Sequence, residues 1–323
     1  MNEARALWYV ARGKSDVRPV ILPDPGPKTA LVRTLWSGLS RGTERLVFEG
    51  RVPPSENERM RSPLQEGDFP YPVKYGYCVV GVVAAGPDPF LGRTVFVLHP
   101  HQDRFVAPAA LLNVVPERVP ARRAILAANM ETALNALWDS GAGPGDRVLV
   151  VGAGIVGCLV AFLAARLPGA EVTLIDIDPS RRAVAERLGA GFRVPAGAPG
   201  GMDVVFHCSA TASGLSCALA SAGMEATIVE MSWYGDQIVP APLGLDFHAR
   251  RLKLVSSQVG QVASSRRSRW TFGRRMAKAI DLLADERLDA LITEEVAFAD
   301  LPVLLPRLLA PNAPGLATAI RYD

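Results

Sequence analysis

The sequence predicts an α/β protein in which a doubly wound parallel sheet is joined to a β-rich domain. Three observations predict it. A strand-like run, Arg147–Val151, leads directly into Gly152-Ala153-Gly154-Ile155-Val156-Gly157 and an apolar helical stretch. Strand and helix patterns then alternate as far as Ser256, the order expected of parallel strands joined by crossover helices. Before Ala121 the texture differs: Pro, Gly and β-branched residues are frequent, and short strands are split by turns.

In the first part, Ala30–Leu35, Val79–Ala84, Thr94–Leu98 and Leu111–Val115 read as strands. Pro23-Asp24-Pro25-Gly26 and Gly86-Pro87-Asp88-Pro89 supply the turn chemistry between them. The stretch from Gly50 to Tyr75 is polar and Pro-rich with no clear period, and reads as a long, functional loop. Ala124–Ser140 is Ala/Leu-rich and predicts a helix stopped by Gly141. Gly143-Pro144-Gly145-Asp146 turns into the strand Arg147–Val151. A helix (Ile155–Arg166) and strands at Glu171–Ile175, Asp203–Cys208, Ala226–Met231 and Leu252–Ser256 follow. A helix is expected at Arg274–Ala284, then a mixed tail. The expected domains are 1–128 with 260–323, and 129–259.

Composition narrows the function. A chain of 323 residues holds two real cores without disulfide or metal staples. The net charge of +3 is too small for a nucleic-acid partner. No apolar run reaches the roughly 20 residues of a membrane helix, and Met1-Asn2-Glu3-Ala4-Arg5 does not begin a signal peptide. Cys78, Cys158, Cys208 and Cys217 form no C-x-x-C pair, which fits a reducing cytoplasm.

The glycine run carries the first chemistry. In a strand–G-x-G-x-x-G–helix unit, Gly152 makes the tight turn and Gly154 lets the backbone approach a pyrophosphate. Gly157 allows the helix to pack closely on the strand. The helix N-terminus offers free N–H groups to the phosphates. The second strand ends at Asp176, 176 − 157 = 19 residues past the last glycine. An acidic residue at that distance bonds the adenosine ribose hydroxyls. Its charge repels a 2′-phosphate, so NAD(H) is expected over NADP(H), a preference that Arg181 and Arg182 weaken.

Joined to the β-rich part, this Rossmann unit resembles the medium-chain dehydrogenase/reductase superfamily of zinc-type alcohol dehydrogenase-like proteins over nearly the whole chain. Ser37-Gly38-Leu39-Ser40-Arg41-Gly42-Thr43-Glu44 is similar to that family's Cys-Gly-Thr-Asp segment. Phe69–Cys78 is similar to its Pro-x-x-x-Gly-His-Glu turn, and Asp176–Arg181 and Leu188-Gly189-Ala190 also match. The Ser-Gly-Leu-Ser-x-Gly-Thr-Glu and Gly-Tyr forms resemble a branch containing bacteriochlorophyllide 3-hydroxyethyl dehydrogenases. The resemblance implies a GroES-like catalytic domain, an NAD(P)-dependent oxidoreductase and a homodimer. It adds Ile155, Val156, Thr132, Ser209, Met231 and Ser257 to the cofactor contacts. Arg41 joins them, on the pyrophosphate, if Ser40 takes the family's cysteine position; one extra residue in the alignment leaves Ser40 and Arg41 as alternatives there.

The family's zinc ligands are replaced. The resemblance puts Ser40, Tyr77 and Ala128 at their positions, and the four-cysteine structural lobe gives way to a short segment at Phe96–Val106. Zinc wants thiolate, imidazole or carboxylate, so no zinc is expected. Tyr77 is then the candidate proton donor, with packing in the core as its other reading. Ser40 and Thr43 either hand protons on or hold the turn. Glu44 either pairs with Arg41 or acts as an acid–base group. Cys78 reads as a small buried thiol. His99-Pro100-His101 reads as a structural or surface loop, with substrate contact as the alternative, and His207 as a packed residue. From Phe247 to Ile280 there is no Asp or Glu, while Arg250, Arg251, Lys253, Arg266, Arg267, Arg269, Arg274, Arg275 and Lys278 fall inside it. That segment is either an anion clamp for a substrate or a solvated face. With Trp233, Tyr234 and Trp270 near it, an anionic or bulky small-molecule substrate is expected.

The leading expectation is a zinc-independent oxidoreductase passing hydride between NAD(H) and a secondary alcohol or ketone. Its alternatives are an NADPH-dependent reductase of polarised C=C bonds and a nicotinamide-binding protein whose catalysis has lapsed.

Overall fold

The computed structural model describes residues 3–323. Strands β1 (Glu3–Ala11) and β2 (Lys14–Ile21) form an antiparallel hairpin, followed by the long β3 (Thr29–Leu39) and helix α1 (Arg41–Phe48). Short strands β4 (Glu66–Gly67) and β5 (Val73–Lys74) lie within the expected long loop, and β5 pairs with β1. Then come β6 (Val79–Ala85), β7 (Thr94–Val97), β8 (Arg104–Pro108) and β9 (Asn113–Val114). Alternate residues of β3, β6, β7 and β8 point to one buried face: Ala30 and Val32, Val79 and Val83, Val95 and Val97, Phe105 and Ala107. Each fully buried valine or phenylalanine there contributes about 1.5–3 kcal/mol as an upper value.

The sequence from 124 to 140 is two helices rather than one: α2 (Ala121–Ala124) and α3 (Ala127–Ser140). The turn between them carries Ile125 and Leu126, both 1% exposed, into the core. Next follow β10 (Arg147–Val151), α4 (Ile155–Ala164), β11 (Glu171–Ile175), α5 (Arg182–Arg187), β12 (Gly191–Arg193), β13 (Met202–His207), α6 (Ala212–Ser221), β14 (Ala222–Glu230) and β15 (Lys253–Ser256). These six strands form one sheet in the order β12-β11-β10-β13-β14-β15, and every pair in it is parallel. This is the doubly wound Rossmann order, with its switch point between β10 and β13.

The chain closes with α7 (Phe272–Leu282), β16 (Ile292–Ala297), α8 (Leu301–Leu308) and β17 (Ala317–Arg321). Strand β17 pairs antiparallel with β3, and β16 pairs with β17. Two units result. One holds the chain up to Ala128 with Met276–Glu286 and Ile292–Asp323; the other holds Asn129–Arg275 with Arg287–Leu291. The return expected at residue 260 therefore falls after Arg275. Arg275 explains the shift: it is buried, with Nε 3.0 Å from Glu131 Oε1 and its terminal nitrogens on Asn135 Oδ1 and the Gln261 and Val259 carbonyls. Ala263 N–H also donates to Asn135 Oδ1, and Trp270 packs on Trp138 at 4.7 Å, so residues 260–275 are stitched to α3. Among the described residues, no helix is long and apolar enough to cross a membrane.

Candidate active site

The expected dinucleotide contacts line up along one edge of the parallel sheet. Gly152 follows β10, Asp176 follows β11, Ser209 follows β13, Met231 follows β14 and Ser257 follows β15. Ligands of open α/β sheets bind at these carboxyl ends, beside the switch point. Gly152 sits at φ +108°, a conformation that favours glycine, and a Cβ there would lie 2.8 Å from Ser209 N. A Cβ on Gly157 would lie 1.9 Å from Gly152 O, so α4 packs on the turn as only glycine allows. A Cβ on Gly154 meets nothing within 4 Å: the space in front of the helix N-terminus is open. Asp176 fixes the loop from the far side. Its Oδ2 accepts Ala153 N–H at 2.7 Å and its Oδ1 accepts Asp178 N–H at 2.9 Å. Ile155 and Val156 form the first turn of α4, whose N–H groups face that open space. These residues fit a dinucleotide pyrophosphate and ribose. Arg181 is turned to Asp178 at 3.2 Å. Ser257 Oγ donates to Asp139 Oδ2 at 2.7 Å. Thr132 lies on α3 rather than at the end of a strand.

In the other unit the structure gathers Tyr77, Ser40 and Thr43. Tyr77 O–H donates to Ser40 Oγ, and Thr43 bonds the same phenol. Ser40 holds the N-cap position of α1, where a serine hydroxyl ordinarily caps the helix. Here it makes no capping bond and faces Tyr77. Glu44 reaches back from within the helix: its Oε1 accepts the N–H of Ser40 itself at 2.8 Å, which locks the turn. Tyr77 follows Gly76, whose φ of +123° and close approach to the His101 ring admit no side chain. Burial pushes the Tyr77 phenol well above its ordinary pKa, the nearby Cys78 adds to this, and the bonds from Ser40 and Thr43 only partly oppose it. The phenol is thus held as a proton donor.

Glu44 is buried, and beside the Ser40 N–H it takes the Tyr9 hydroxyl at 2.7 Å and His101 Nε2 at 3.0 Å. His101 Nδ1 contacts Ser37 Oγ at 2.8 Å, which contacts Tyr322 O–H at 2.9 Å. His99 is buried, stacked on Phe105 at 3.8 Å. Of the two readings of this loop, structural or surface, burial of both histidines fits the structural one and corrects the surface one. Arg41 reaches the Ala313 and Gly315 carbonyls at 3.1 and 3.2 Å. Four side chains of the basic segment pair with carboxylates outside its span: Arg250 with Asp246, Arg251 with Glu225, Arg275 with Glu131 and Lys278 with Asp281. Arg274 lies over the Trp270 ring.

No family model matches the chain. It is 27% identical over 215 residues to an uncharacterised zinc-type alcohol dehydrogenase-like protein of Haemophilus influenzae, spanning 62% of this chain and 58% of that protein. The match thus spans little more than half of that curated relative. A Sinorhizobium meliloti protein assigned as a zinc-binding dehydrogenase and bound to NADP superposes at TM-score 0.80 with 19% identity, over 100% of both chains. An Escherichia coli alcohol dehydrogenase complexed with NADH superposes at 0.79 with 16% identity, again over 100% of both. The fold is the one that these two dehydrogenases share. The resemblance in the sequence holds at that level, while its finer branch is not among these similarities.

Medium-chain dehydrogenases are associated with zinc, so the donor set must be tested. Ser40 and Tyr77 bring hydroxyls that are bonded to each other, and Ala128 brings no donor. Burial, then the Glu44 charge, raise the Cys78 thiol well above its ordinary pKa, which opposes a thiolate. Glu44 and His101 are spent on one another. These residues do not fit a zinc ion. Among the described residues, no group of three or more His, Cys, Asp or Glu is placed to hold a metal.

Two sets of functional groups escape the sequence reading. One is the chain from Glu44 through His101 and Ser37 to Tyr322, whose ends are 285 residues apart for the last bond. The other surrounds His207, which is buried as expected but fully hydrogen-bonded. The alternation His207-x-Ser209 at a strand end was the available signal for the second.

Proposed function

We propose that this chain is a zinc-independent oxidoreductase that uses NAD(H) on a secondary alcohol or the corresponding ketone. The Tyr77–Ser40–Thr43 hydroxyl cluster carries the reading. Two of its members, Ser40 and Tyr77, stand where the resemblance calls for zinc ligands, and Tyr77 presents a protonated phenol there. The nicotinamide, when bound, supplies or accepts the hydride. Tyr77 donates a proton to the carbonyl oxygen as it becomes an alkoxide, and a proton from solvent re-forms the phenol before the next turnover; alcohol oxidation runs the same steps in reverse, the phenol first losing its proton to solvent. Ser40 accepts the Tyr77 hydrogen bond at rest and Thr43 steadies the phenol, so both position the donor. In the other unit, Asp176 favours NAD(H), because a carboxylate fixed by two backbone N–H groups opposes a 2′-phosphate. The same residue weighs against an NADPH-dependent C=C reductase. The four cysteines are all free, which fits a reducing compartment, and we place the protein in the cytoplasm, as a homodimer by analogy with the family.

The test combines NADH and NADPH fluorescence titrations with turnover on secondary alcohols and ketones, arylethanols and acetyl-substituted ring systems included. NADH-preferring binding, turnover without added metal and a large loss of kcat in Tyr77→Phe are expected. One equivalent of zinc per active chain, or a Tyr77→Phe variant at full rate, overturns the mechanism. Binding without turnover on the whole panel favours a lapsed enzyme.

A further inference from the structure

The chain has six tyrosines, and five of their hydroxyls are hydrogen-bonded within the protein. Tyr9 donates to Glu44 Oε2, Tyr71 to the Phe48 carbonyl, Tyr77 to Ser40 Oγ and Tyr234 to Glu230 Oε2, while Tyr322 pairs with Ser37 Oγ. Tyr75 is the exception. It is 3% exposed, yet its O–H meets no acceptor among the described residues. A buried tyrosine ordinarily finds a partner for its hydroxyl, because a desolvated donor left without one works against the fold. The Tyr75 oxygen is not sealed from solvent as the unpartnered hydroxyls of Ser15 and Ser62 are, so an incoming acceptor can reach it.

Local structure fixes this phenol beside Tyr77. Tyr75 follows β5, whose Lys74 is buried and tied to Gln102 Oε1 at 2.8 Å and to Glu66. The Tyr75 carbonyl accepts His101 N–H at 3.4 Å. Its ring packs on Phe69 at 5.7 Å and stands at 89° to the Tyr77 ring, centroids 6.1 Å apart. Tyr9, Tyr75 and Tyr77 all sense the Glu44 charge, so three phenols surround one carboxylate. The acceptors of the cluster are already in use. Glu44 takes the Tyr9 hydroxyl, the Ser40 N–H and His101 Nε2, and Ser40 Oγ takes Tyr77. Burial, then the nearby Tyr77, Glu44 and Cys78, push the Tyr75 phenol well above its ordinary pKa. It therefore stays a donor, and its proton has no use within the protein.

We propose that Tyr75 is a second substrate-binding phenol, whose O–H donates to the same carbonyl oxygen that Tyr77 protonates and holds it as negative charge develops. The inference rests on the reading of Tyr77 as proton donor. Two phenols that share one oxygen must bring their own oxygens within about 5.5 Å of each other, twice the length of an O–H···O bond. Rings at 89° with centroids 6.1 Å apart allow that approach. The two then divide the work. Tyr77 gives up its proton, while Tyr75 keeps its own and contributes a hydrogen bond only, so no bond breaks at Tyr75. A donor fixed in advance by packing stabilises developing charge without reorganising during the reaction. Tyr75 has that fixity, from Phe69 and Tyr77 on its ring and from His101 on its backbone.

The test is Tyr75→Phe in the full chain, which removes one oxygen and keeps the ring between Phe69 and Tyr77. Its urea midpoint is expected to match or exceed that of wild type, because the hydroxyl bonds to nothing in the protein. Its NADH dissociation constant is expected to be unchanged, since the dinucleotide contacts lie in the other unit. Ketone reduction by NADH is expected to lose about 10- to 100-fold in kcat/KM, mostly in kcat, because the bond strengthens as the oxygen gains charge. A simple amide, whose carbonyl oxygen stands in for that of the ketone, is expected to bind the NADH complex several-fold more weakly, read from NADH fluorescence. A kcat/KM within about twofold of wild type overturns the inference and leaves the hydroxyl bonded to water alone. A rate loss with unchanged amide affinity also overturns it, since Tyr75 then acts without touching the substrate. A lowered urea midpoint, or failure to fold, overturns it too, by showing that the O–H serves the protein itself. Each of these outcomes leaves the Tyr77 reading standing. A wild-type chain that reduces no ketone of the panel, or Tyr77→Phe at full rate, overturns that reading and the inference with it.

Discussion

Removing the Glu44 carboxylate tests how the hydroxyl cluster is held. Glu44 is 0% exposed and accepts from three donors: the buried Tyr9 hydroxyl and His101 Nε2, and the part-buried Ser40 N–H. Glu44→Ala strands all three. A buried donor without a partner costs about 1–3 kcal/mol. The three face one cavity, and water entering it relieves part of the sum. The expected loss is about 3–5 kcal/mol, the range for removing one side of a buried polar pair. Glu44→Gln keeps the shape. Its amide oxygen serves Tyr9 and His101 on one side, and its NH2 meets the Ser40 N–H on the other. One donor–donor conflict remains, so about 1–3 kcal/mol is expected. Urea unfolding followed by far-UV circular dichroism measures both, with the transition of each unit fitted separately. Glu44→Ala within about 1 kcal/mol of wild type, or less damaging than Glu44→Gln, refutes the reasoning.

Three further outcomes are expected. Gly157→Ala forces a Cβ to 1.9 Å from the Gly152 carbonyl oxygen and destabilises by about 1–3 kcal/mol or more, whereas Gly154→Ala, whose Cβ meets nothing within 4 Å, costs less than about 1 kcal/mol yet weakens NADH binding; melting and titration together separate the two. His99 is buried and its pKa is pushed down to about 3, so below the unfolded value of about 6.5 the unfolded chain binds the extra proton and stability falls with pH. From neutral pH to about pH 5 this one residue removes about 2 kcal/mol, and His99→Phe should shrink the measured acid loss by that amount. Arg275→Met leaves Glu131 buried without its 3.0 Å partner and costs about 3–5 kcal/mol, while a second change, Glu131→Leu, recovers much of it.

The Rossmann unit was legible because its signals are local. Arg147–Val151 and Glu171–Ile175 appear as strands with the expected bounds, and the glycines and Asp176 lie in one contiguous stretch. Strands β2 and β16 were not legible. Lys14–Ile21 is half-exposed along its length, and Ile292–Ala297 carries Thr and two Glu between its apolar residues, so neither shows a clean alternation. Tyr77, Ser40 and Thr43 were found through the family pattern and are brought together in space. Their support was invisible for a different reason. Tyr9 of β1, His101 of the loop before β8 and Tyr322 just past β17 converge on Glu44 and Ser37, and only the tertiary fold brings these segments together. The boundary near 260 was misplaced because one buried guanidinium, with no local signature, binds α3 to the residues that follow β15.

The placement of β17 across β3 has a consequence for how the protein is made. Trp36–Leu39 pairs with Thr318–Arg321, so half of one edge of β3 has no partner until the last strand emerges. From the end of β3 at Leu39 to the start of β17 at Ala317 the chain grows by 317 − 39 = 278 residues. At a synthesis rate of about 5–20 residues per second, that edge waits about 14–56 s on the ribosome. The parallel sheet is complete long before then, since β10 to β15 follow one another without interruption. The nascent chain therefore carries a finished nucleotide-binding sheet ahead of an unfinished β-rich one. For that interval the open half of β3 is the place where strand exchange with a neighbouring chain, or capture by a chaperone, has its opportunity.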